Sequence, residues 1–355
     1  MQQPLNQNIA NAGTKPGQRI EYIDAMRGFT MILVVFYHVA LYCWDVPLKT
    51  SSFHQYCLQV RMPLFFFISG FVLYKANVVW NLEQVVKFFR KKIPVQLLAP
   101  FVFFLVFIHV KDYPFMMSIE NVHKKGYWFT YVLLEYYVFY TGIRFFIRNE
   151  KISSVILILL GLVLYFMNWN LVPISKEIKG ILSVGNWDRF LFFVLGTLVK
   201  KNFTRVEQLI DSKWLLAFCI LYYFLVNGFS DLIPKAHFAS AIQLTLTLTG
   251  LVLIFSFFRN KQATFSKNTV VGNSLQYIGR RTLDVYLIHF FLLPDELINY
   301  VTVFTDHPMP IIEATVSLTL ALIIVAVCLL IGNIIRLSPL LAHWVFGAKL
   351  PQNNQ

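Results

Sequence analysis

Arg27 and His38 are the first residues of the chain whose types and spacing suggest chemistry. They lie eleven residues apart in the apolar stretch Tyr22–Tyr42. On an α-helix this spacing corresponds to about 1,100°, roughly 20° beyond three turns, and to about 16 Å along the axis. The two side chains should therefore share one helix face. Because a histidine within hydrocarbon is costly, His38 is expected to face the protein interior or a water-filled cavity and to be functional. The alternative is a histidine that only bonds a neighbouring helix.

The composition is that of a polytopic membrane protein. The 355 residues are 57% hydrophobic and 14% charged, whereas soluble domains are about 45–50% apolar and 25% charged. We therefore predict an all-α polytopic membrane protein of about ten transmembrane helices, in a domain 19–347 between a tail 1–18 and a C-terminal tail 348–355. The sixth segment is doubtful because its apolar core is short. The apolar segments of spanning character lie near 24–44, 60–80, 93–110, 127–146, 152–169, 187–199, 214–230, 238–258, 275–294 and 311–335.

The basic residues predict the orientation of these segments. The net charge is +13, and with ten spans and an inside N-terminus 22 of the 31 lysines and arginines fall in inside segments. Such a bias is what the positive-inside rule requires. Both termini are therefore expected to be cytoplasmic. The positive charge is read as a topology signal, and no nucleic acid partner is expected.

Three ionisable residues fall at one depth in this topology. His38, Glu135 and His289 each lie about 9–10 Å from the outer end of their predicted helices. They suggest a single polar chamber in the outer half of the membrane. A histidine beside a glutamate is a standard general base, because the carboxylate orients the imidazole. A buried glutamate that serves only as a structural hydrogen-bonding group is the alternative.

Two further stretches supply candidate site residues. Arg61 and Ser69 belong to the second segment. Arg61 is expected either to reach the outer surface or to line the mouth of the chamber. Ser69 and Gly70 are small and favour close contact with another helix. The basic run Lys87–Lys92 lies on the predicted inner side and is a possible anion-binding surface. Among four cysteines there is no zinc or redox spacing, and phosphate-loop, serine-elbow and metalloprotease motifs are absent. No metal site is expected.

Several motifs resemble those of the acyltransferase 3 family of integral membrane O-acyltransferases. They are the Arg27-to-His38 spacing, FFFISGF from Phe65, FRKKIP from Phe89, the Trp128 to Glu135 helix and YIGRRTLDVYLIHF ending at Phe290. The resemblance covers roughly residues 20 to 347. It implies transfer of an acyl group, usually acetyl, from acyl-CoA (acetyl-CoA) in the cytosol to a hydroxyl of an extracytoplasmic glycan or lipid-linked sugar.

The expected roles follow from the residues and the resemblance together. His38 is predicted to be the general base or a transient acyl carrier, with Glu135 as its orienting partner. The donor phosphates are expected at Arg27, Arg90, Lys91 and Lys92, and the acceptor at Arg61, Ser69 and His289. The donor is a substrate, and no tightly bound cofactor is expected. The predicted location is the inner membrane of a bacterium. A transporter or flippase for a lipid-linked sugar is the main rival, and an inactive assembly partner is a second.

Overall fold

The protein is described here by a computed structural model covering residues 19–44, 52–76, 78–169, 171–228, 235–300 and 310–348. The predicted tail 1–18 and residues 349–355 lie outside these ranges. Every regular element within them is helical, which confirms the all-α class.

The α-helices of the described residues are listed in chain order: α1 (Glu21–Cys43), α2 (Ser52–Leu73), α3 (Leu82–Ile93), α4 (Ala99–Val110), α5 (Phe115–Ile119), α6 (Phe129–Phe146), α7 (Glu150–Phe166), α8 (Lys176–Ile181), α9 (Phe190–Lys201), α10 (Phe203–Ile210), α11 (Lys213–Gly228), α12 (Lys235–Asn260), α13 (Val270–Arg280), α14 (Thr282–Ile288), α15 (Pro310–Ile335) and α16 (Pro339–Phe346). Short 3₁₀ turns occur at Lys124–Gly126, Val184–Arg189, His289–Leu292 and Asp295–Tyr300, and one π turn at Pro94–Leu98.

Local signals account for where several helices begin. The side chain of Asn81 accepts a hydrogen bond from the backbone N–H of Gln84 at the start of α3. Asn149 accepts two such bonds at the start of α7, and Thr269 accepts one at the start of α13. Each cap satisfies backbone donors that have no partner within the helix. The caps fix helix boundaries but not how the helices pack.

Four helices among the described residues are long and apolar enough to cross a membrane: Glu21–Cys43, Leu82–Val110, Ser240–Asn260 and Ile311–Ile335. A fifth is added if α10 and α11, bent by 68° relative to each other, form one broken span. Over the described residues, the helices of the other predicted segments are too short or not apolar enough to be counted. The doubtful sixth segment becomes α9, whose 12 residues extend only about 18 Å. The count of ten spans and the orientation of the termini therefore stay predictions.

Two pairs of helices cross in direct backbone contact at glycines. A Cβ atom on Gly28 of α1 would overlap the carbonyl oxygen of Leu275 in α13, and one on Gly279 would overlap that of Asp24. The pair α2 and α9 has the same arrangement at Gly70 and Gly196. Small residues at a helix crossing allow such an approach. The close contact predicted beside Ser69 is thus present, and it is made to α9.

A buried ion-pair cluster anchors α14 to α15. The carboxylate of Asp284 is fully buried. Arg336 donates to it through Nε at 3.1 Å and Nη2 at 2.7 Å, and Arg281 donates at 3.3 Å. Hydrogen bonds between ionised groups in this two-pronged geometry are among the strongest in proteins. The cluster therefore holds α14 and the 3₁₀ turn that follows it.

Breaks in helical regularity occur where the chain lines its cavities. Pro94 lacks a backbone N–H and cannot continue a regular helix, and the helix widens into the π turn that separates α3 from α4. The predicted ninth segment is likewise divided at Arg281 into α13, α14 and a 3₁₀ turn. Such irregular turns are frequent at functional sites.

Replacing a crossing glycine by alanine tests the backbone contacts. We expect Gly196→Ala and Gly279→Ala to lower the free energy of unfolding by about 1–3 kcal/mol or more, because each added methyl overlaps a carbonyl of the facing helix. The measurement is the midpoint of thermal unfolding in detergent. Gly142→Ala in α6 is the matched control, since its new Cβ would meet no atom within 4 Å. If all three variants unfolded alike, the crossings would not depend on these glycines.

Candidate active site

Two histidines from distant parts of the chain meet inside the helical bundle. His38 comes from α1, and His289 begins the 3₁₀ turn after α14. The Nδ1 atom of His38 lies 3.0 Å from the Nε2 atom of His289. Their rings are nearly parallel, with 5.1 Å between centroids and 12° between planes. His289 is fully buried. Protein therefore encloses the His289 end of this hydrogen-bonded dyad.

The surroundings of His289 determine where the hydrogens of the dyad lie. Its Nδ1 atom lies 2.9 Å from the carbonyl oxygen of Val285 and 3.1 Å from that of Tyr286. Since carbonyl oxygens only accept, Nδ1 of His289 must carry the hydrogen, and Nε2 of the neutral ring is then an acceptor. His38 must donate to it from Nδ1. The Nε2 atom of His38 is left with a free lone pair, which is the state a general base requires.

His38 lies on the wall of a chamber of about 200 Å³. The chamber is lined by α1, α2, the π turn, α6 and the start of α14. Arg27 and His38 both line it, as their shared helix face predicted. Arg61 and Ser69, predicted from the second segment, also line it. With Lys92, five of the candidate residues therefore line one cavity.

Glu135 does not take the place expected for it beside His38. Its carboxylate accepts a hydrogen bond of 2.8 Å from the indole Nε1 of Trp187. The helix α6 turns Thr130 and Leu133 toward the chamber. Glu135 is two residues after Leu133, about 200° around the helix, and points away. The prediction from depth therefore named the wrong partner for His38, and His289, expected to line the acceptor side, holds that position.

Arg61 brings into the chamber a guanidinium that has no acidic partner among the described residues. The residue is only 8% exposed, and its Nε and Nη1 atoms have no hydrogen-bond partner among the described residues. The guanidinium carbon lies 3.4 Å from the centroid of the Tyr37 ring, a stacked cation–π contact that fixes its plane. Donors buried without partners are costly. This side chain is thus prepared to donate to negative charge in the chamber.

A second cavity of about 440 Å³ continues from the chamber and is strongly basic. The described residues that line it include no aspartate or glutamate. Lys91 and Lys92 of the predicted basic run lie on its wall, whereas Arg90 does not. Arg90 is exposed on the other side of α3, beside Val86 in a shallow surface groove. The basic residues that line the cavity are Arg27, Lys75, Lys87, Lys91, Lys92 and Arg144.

The basic cavity and the chamber share one boundary. Its residues line both cavities: Arg27, Ser69, Lys92, Gln96 and Leu133. A path therefore runs from the lysines of α3 past Arg27 to His38. The hydroxyl of Ser69 donates to the Phe65 carbonyl at 2.8 Å within its own helix. Its small side chain leaves the boundary open.

Comparison with known proteins identifies the family of the chain. A family model described as an acyltransferase domain matches residues 20–332, nearly the whole chain. The chain belongs to the acyltransferase 3 family. No curated protein and no solved structure matches it. The family and the apolar helices together indicate an integral membrane acyltransferase.

Some residues of this acyltransferase site could not be found from sequence. Gln96 lines both cavities because the π turn at Pro94 directs it inward. Lys75, just after the end of α2, and Arg144 of α6 also line the basic cavity. A proline after a basic run was a visible signal for the irregular turn, but nothing in the sequence gave its direction. Among the described residues there is also no cluster of three His, Cys, Asp or Glu that suits a metal ion.

The dyad predicts unequal effects of two substitutions at His289. We expect His289→Leu to lower the rate of acyl transfer by at least about tenfold, because the tautomer of His38 is then no longer imposed. His289→Gln should retain most of the rate, since its amide oxygen can accept the Nδ1 hydrogen of His38. The measurement is the initial rate of transfer at saturating substrates. Equal rates in the two variants would mean that His289 only packs against α1.

Proposed function

We propose that this acyltransferase moves an acyl group, acetyl in the simplest case, from acyl-CoA to a hydroxyl of an extracytoplasmic glycan or lipid-linked sugar. The observation that carries the proposal is the position of His38, whose free Nε2 lies at one end of a path that begins in a basic cavity. An anionic donor at one end and a base at the other are what such a transfer requires.

The basic cavity suits the nucleotide part of the donor. Charge-assisted bonds from lysine and arginine to phosphate are strong. The rings of Trp80, Phe88 and Tyr140 also line the cavity, with Trp80 in edge contact with the other two. Aromatic faces stack on nucleobases. The pantetheine arm would then extend past Arg27 and Gln96 and bring the thioester to His38.

In the chamber the acyl group passes directly from the thioester to the acceptor hydroxyl. The Nε2 atom of His38 removes the proton of the acceptor hydroxyl while the hydroxyl oxygen attacks the thioester carbonyl carbon. The resulting oxyanion is held by the Nε and Nη1 hydrogens of Arg61. When the carbonyl reforms, the carbon–sulfur bond breaks and the leaving thiolate takes the proton from the His38 imidazolium. His289 accepts from Nδ1 of His38 throughout and stabilises the imidazolium.

The orientation of the protein is part of the same proposal. The N-terminus is cytoplasmic, as the 22 of 31 basic residues on that side support. The lysines of α3 then meet cytosolic acyl-CoA, and His38 faces the outer half of the membrane. The acyl group crosses the membrane within the protein. The membrane is the inner membrane of a bacterium.

The proposal is tested by replacing His38. We expect His38→Ala to reduce transfer of labelled acetyl from acetyl-CoA by about 10²–10⁴-fold, the usual contribution of a general acid–base residue. The assay uses purified protein in detergent with a lipid-linked sugar acceptor, because an enzyme needs no sealed membrane whereas a transporter does. His109→Ala on the exposed side of α4 is the control. A loss below tenfold in His38→Ala would exclude His38 as the base, and absence of transfer by the wild type would favour the transporter.

Binding of the donor gives a second prediction with a control on the same helix. We expect Lys87→Gln and Lys91→Gln each to raise the KM for acyl-CoA about tenfold, because a hydrogen bond to a charged group contributes about 1.5–3 kcal/mol. Arg90→Gln removes the same charge outside the cavity and should leave KM nearly unchanged. Added salt should weaken donor binding in the wild type more than in the lysine variants. If Arg90→Gln raised KM equally, the effect would be one of surface charge and not of this cavity.

A further inference from the structure

A lateral cavity branches from the chamber toward the side of the helical bundle. It has a volume of about 190 Å³ and lies between α4, α6 and the short helices α5 and α8. Apart from Lys124, Gln96, Thr130 and two tyrosines, its walls are apolar. Apolar cavities of similar size, about 150 Å³, exclude water and bind hydrocarbon. Leu97, Phe101 and Ile181 are among its apolar wall residues.

The mouth of the lateral cavity opens on the apolar surface of the protein. Phe101 at its edge is 39% exposed and Ile181 is 40% exposed. Leu98 and Val102, beside Phe101 on the outward side of the same helix, are 47% and 56% exposed. In an integral membrane protein such a surface faces lipid. A molecule can therefore enter this cavity from the bilayer.

The inner end of the lateral cavity joins the chamber at Gln96 and Thr130, which line both spaces. Gln96 is 9% exposed, and its amide oxygen has no hydrogen-bond partner among the described residues. Its amide nitrogen donates to the hydroxyl of Tyr137 at 3.4 Å. A buried acceptor without a partner is costly, and a ligand hydroxyl at this junction would satisfy it. The polar junction thus suits the sugar end of a molecule whose apolar end fills the cavity.

Lys124 provides one positive charge on the wall. The residue is 8% exposed, and its ammonium donates to the carbonyl of Gly180 at 2.8 Å and to that of Ile119 at 3.3 Å. An ammonium has three hydrogens, so one remains for a ligand. Burial lowers the pKa of Lys124 to about 8, and the nearby Glu135 carboxylate opposes this shift. The group is therefore still mainly charged at neutral pH.

The backbone around Lys124 is strained. Lys124, Lys125 and Gly126 have φ angles of 42°, 51° and 104° in succession. Left-handed conformations at residues other than glycine are uncommon and unfavourable. The turn directs Lys124 into the lateral cavity and Gly126 into the chamber. The strain is thus concentrated in the wall that separates the two spaces.

We propose that the lateral cavity binds the acceptor as a lipid-linked sugar phosphate, with its hydrocarbon chain between α4 and α8, its phosphate at Lys124 and its sugar at Gln96 facing His38. The inference rests on the proposed function and names its acceptor class. A chain longer than the cavity extends through the mouth into the bilayer, as a lipid requires. The donor has its own entrance through the basic cavity, so the two substrates do not compete.

Photolabelling of the purified full-length chain in lipid nanodiscs tests the site without any acyl transfer. The probe is hexadecyl phosphate with a photoreactive diazirine in its chain. We expect labelled peptides from α4 and α8. Ile181→Trp and Leu97→Trp, which fill the cavity from two sides, should each reduce this labelling by tenfold or more. Val102→Trp, on the lipid-facing side of α4 and outside the cavity, should not. If Val102→Trp and the two filling variants were labelled equally, the probe would be binding as ordinary lipid around the protein and not in the cavity. That result would overturn the proposal.

The role of Lys124 is tested with a second probe. The wild type should be labelled at least fivefold more by the phosphate than by the matching hexadecanol probe, and Lys124→Met should abolish that preference. Lys125→Met is the control, since its ammonium lies over the ring of Tyr113 and does not line the cavity. An unchanged preference for the phosphate probe in Lys124→Met would show that Lys124 does not bind the phosphate group. Because these are binding measurements, they keep their meaning even if His38→Ala shows that the proposed transfer reaction is wrong.

Discussion

The backbone contact between α1 and α13 is the constraint on which the site depends. Gly28 and Gly279 let the two helices approach until each glycine touches a carbonyl of its partner. That approach brings His38 within hydrogen-bonding distance of His289, which lies one short helix beyond α13. Asp284, held by two arginines, then prevents α14 from shifting along α15. The 3.0 Å hydrogen bond between these two histidines, which are 251 positions apart in the chain, thus results from the close packing of α1 against α13.

The electrostatic character of the site follows from which charges are paired outside it. Glu135 accepts from Trp187, and Asp188 lies 3.2 Å from Arg189, so neither carboxylate neutralises the path. The described residues that line the path include no aspartate or glutamate, and of its basic residues Arg144 is paired with a carboxylate, that of Glu150 at 3.6 Å. Burying unpaired cations is unfavourable unless an anion joins them. The folded protein therefore maintains sites that negative groups of substrates stabilise.

Irregular backbone, more than regular helix, directs the polar groups that line the cavities. The π turn after Pro94 directs Gln96 inward, and the left-handed turn at Lys124–Gly126 presents residues to two spaces at once. The break at Arg281 allows α14 to end in the 3₁₀ turn that carries His289. Each irregularity has a local cost. The packed helices on either side compensate for it, so the irregular turns have fixed geometry.

The sequence by itself determined the helical class, the shared face of Arg27 and His38, and the basic run that contributes to the donor cavity. These depend on composition and on the 3.6-residue period, which act within one segment. Only the tertiary structure decided that His289, and not Glu135, bonds His38, that Gln96 stands at the junction, and that Arg90 lies outside. The rise along a helix fixes how deep a residue lies. The direction it faces relative to other helices is fixed by their packing, which depends on contacts between segments far apart in the chain.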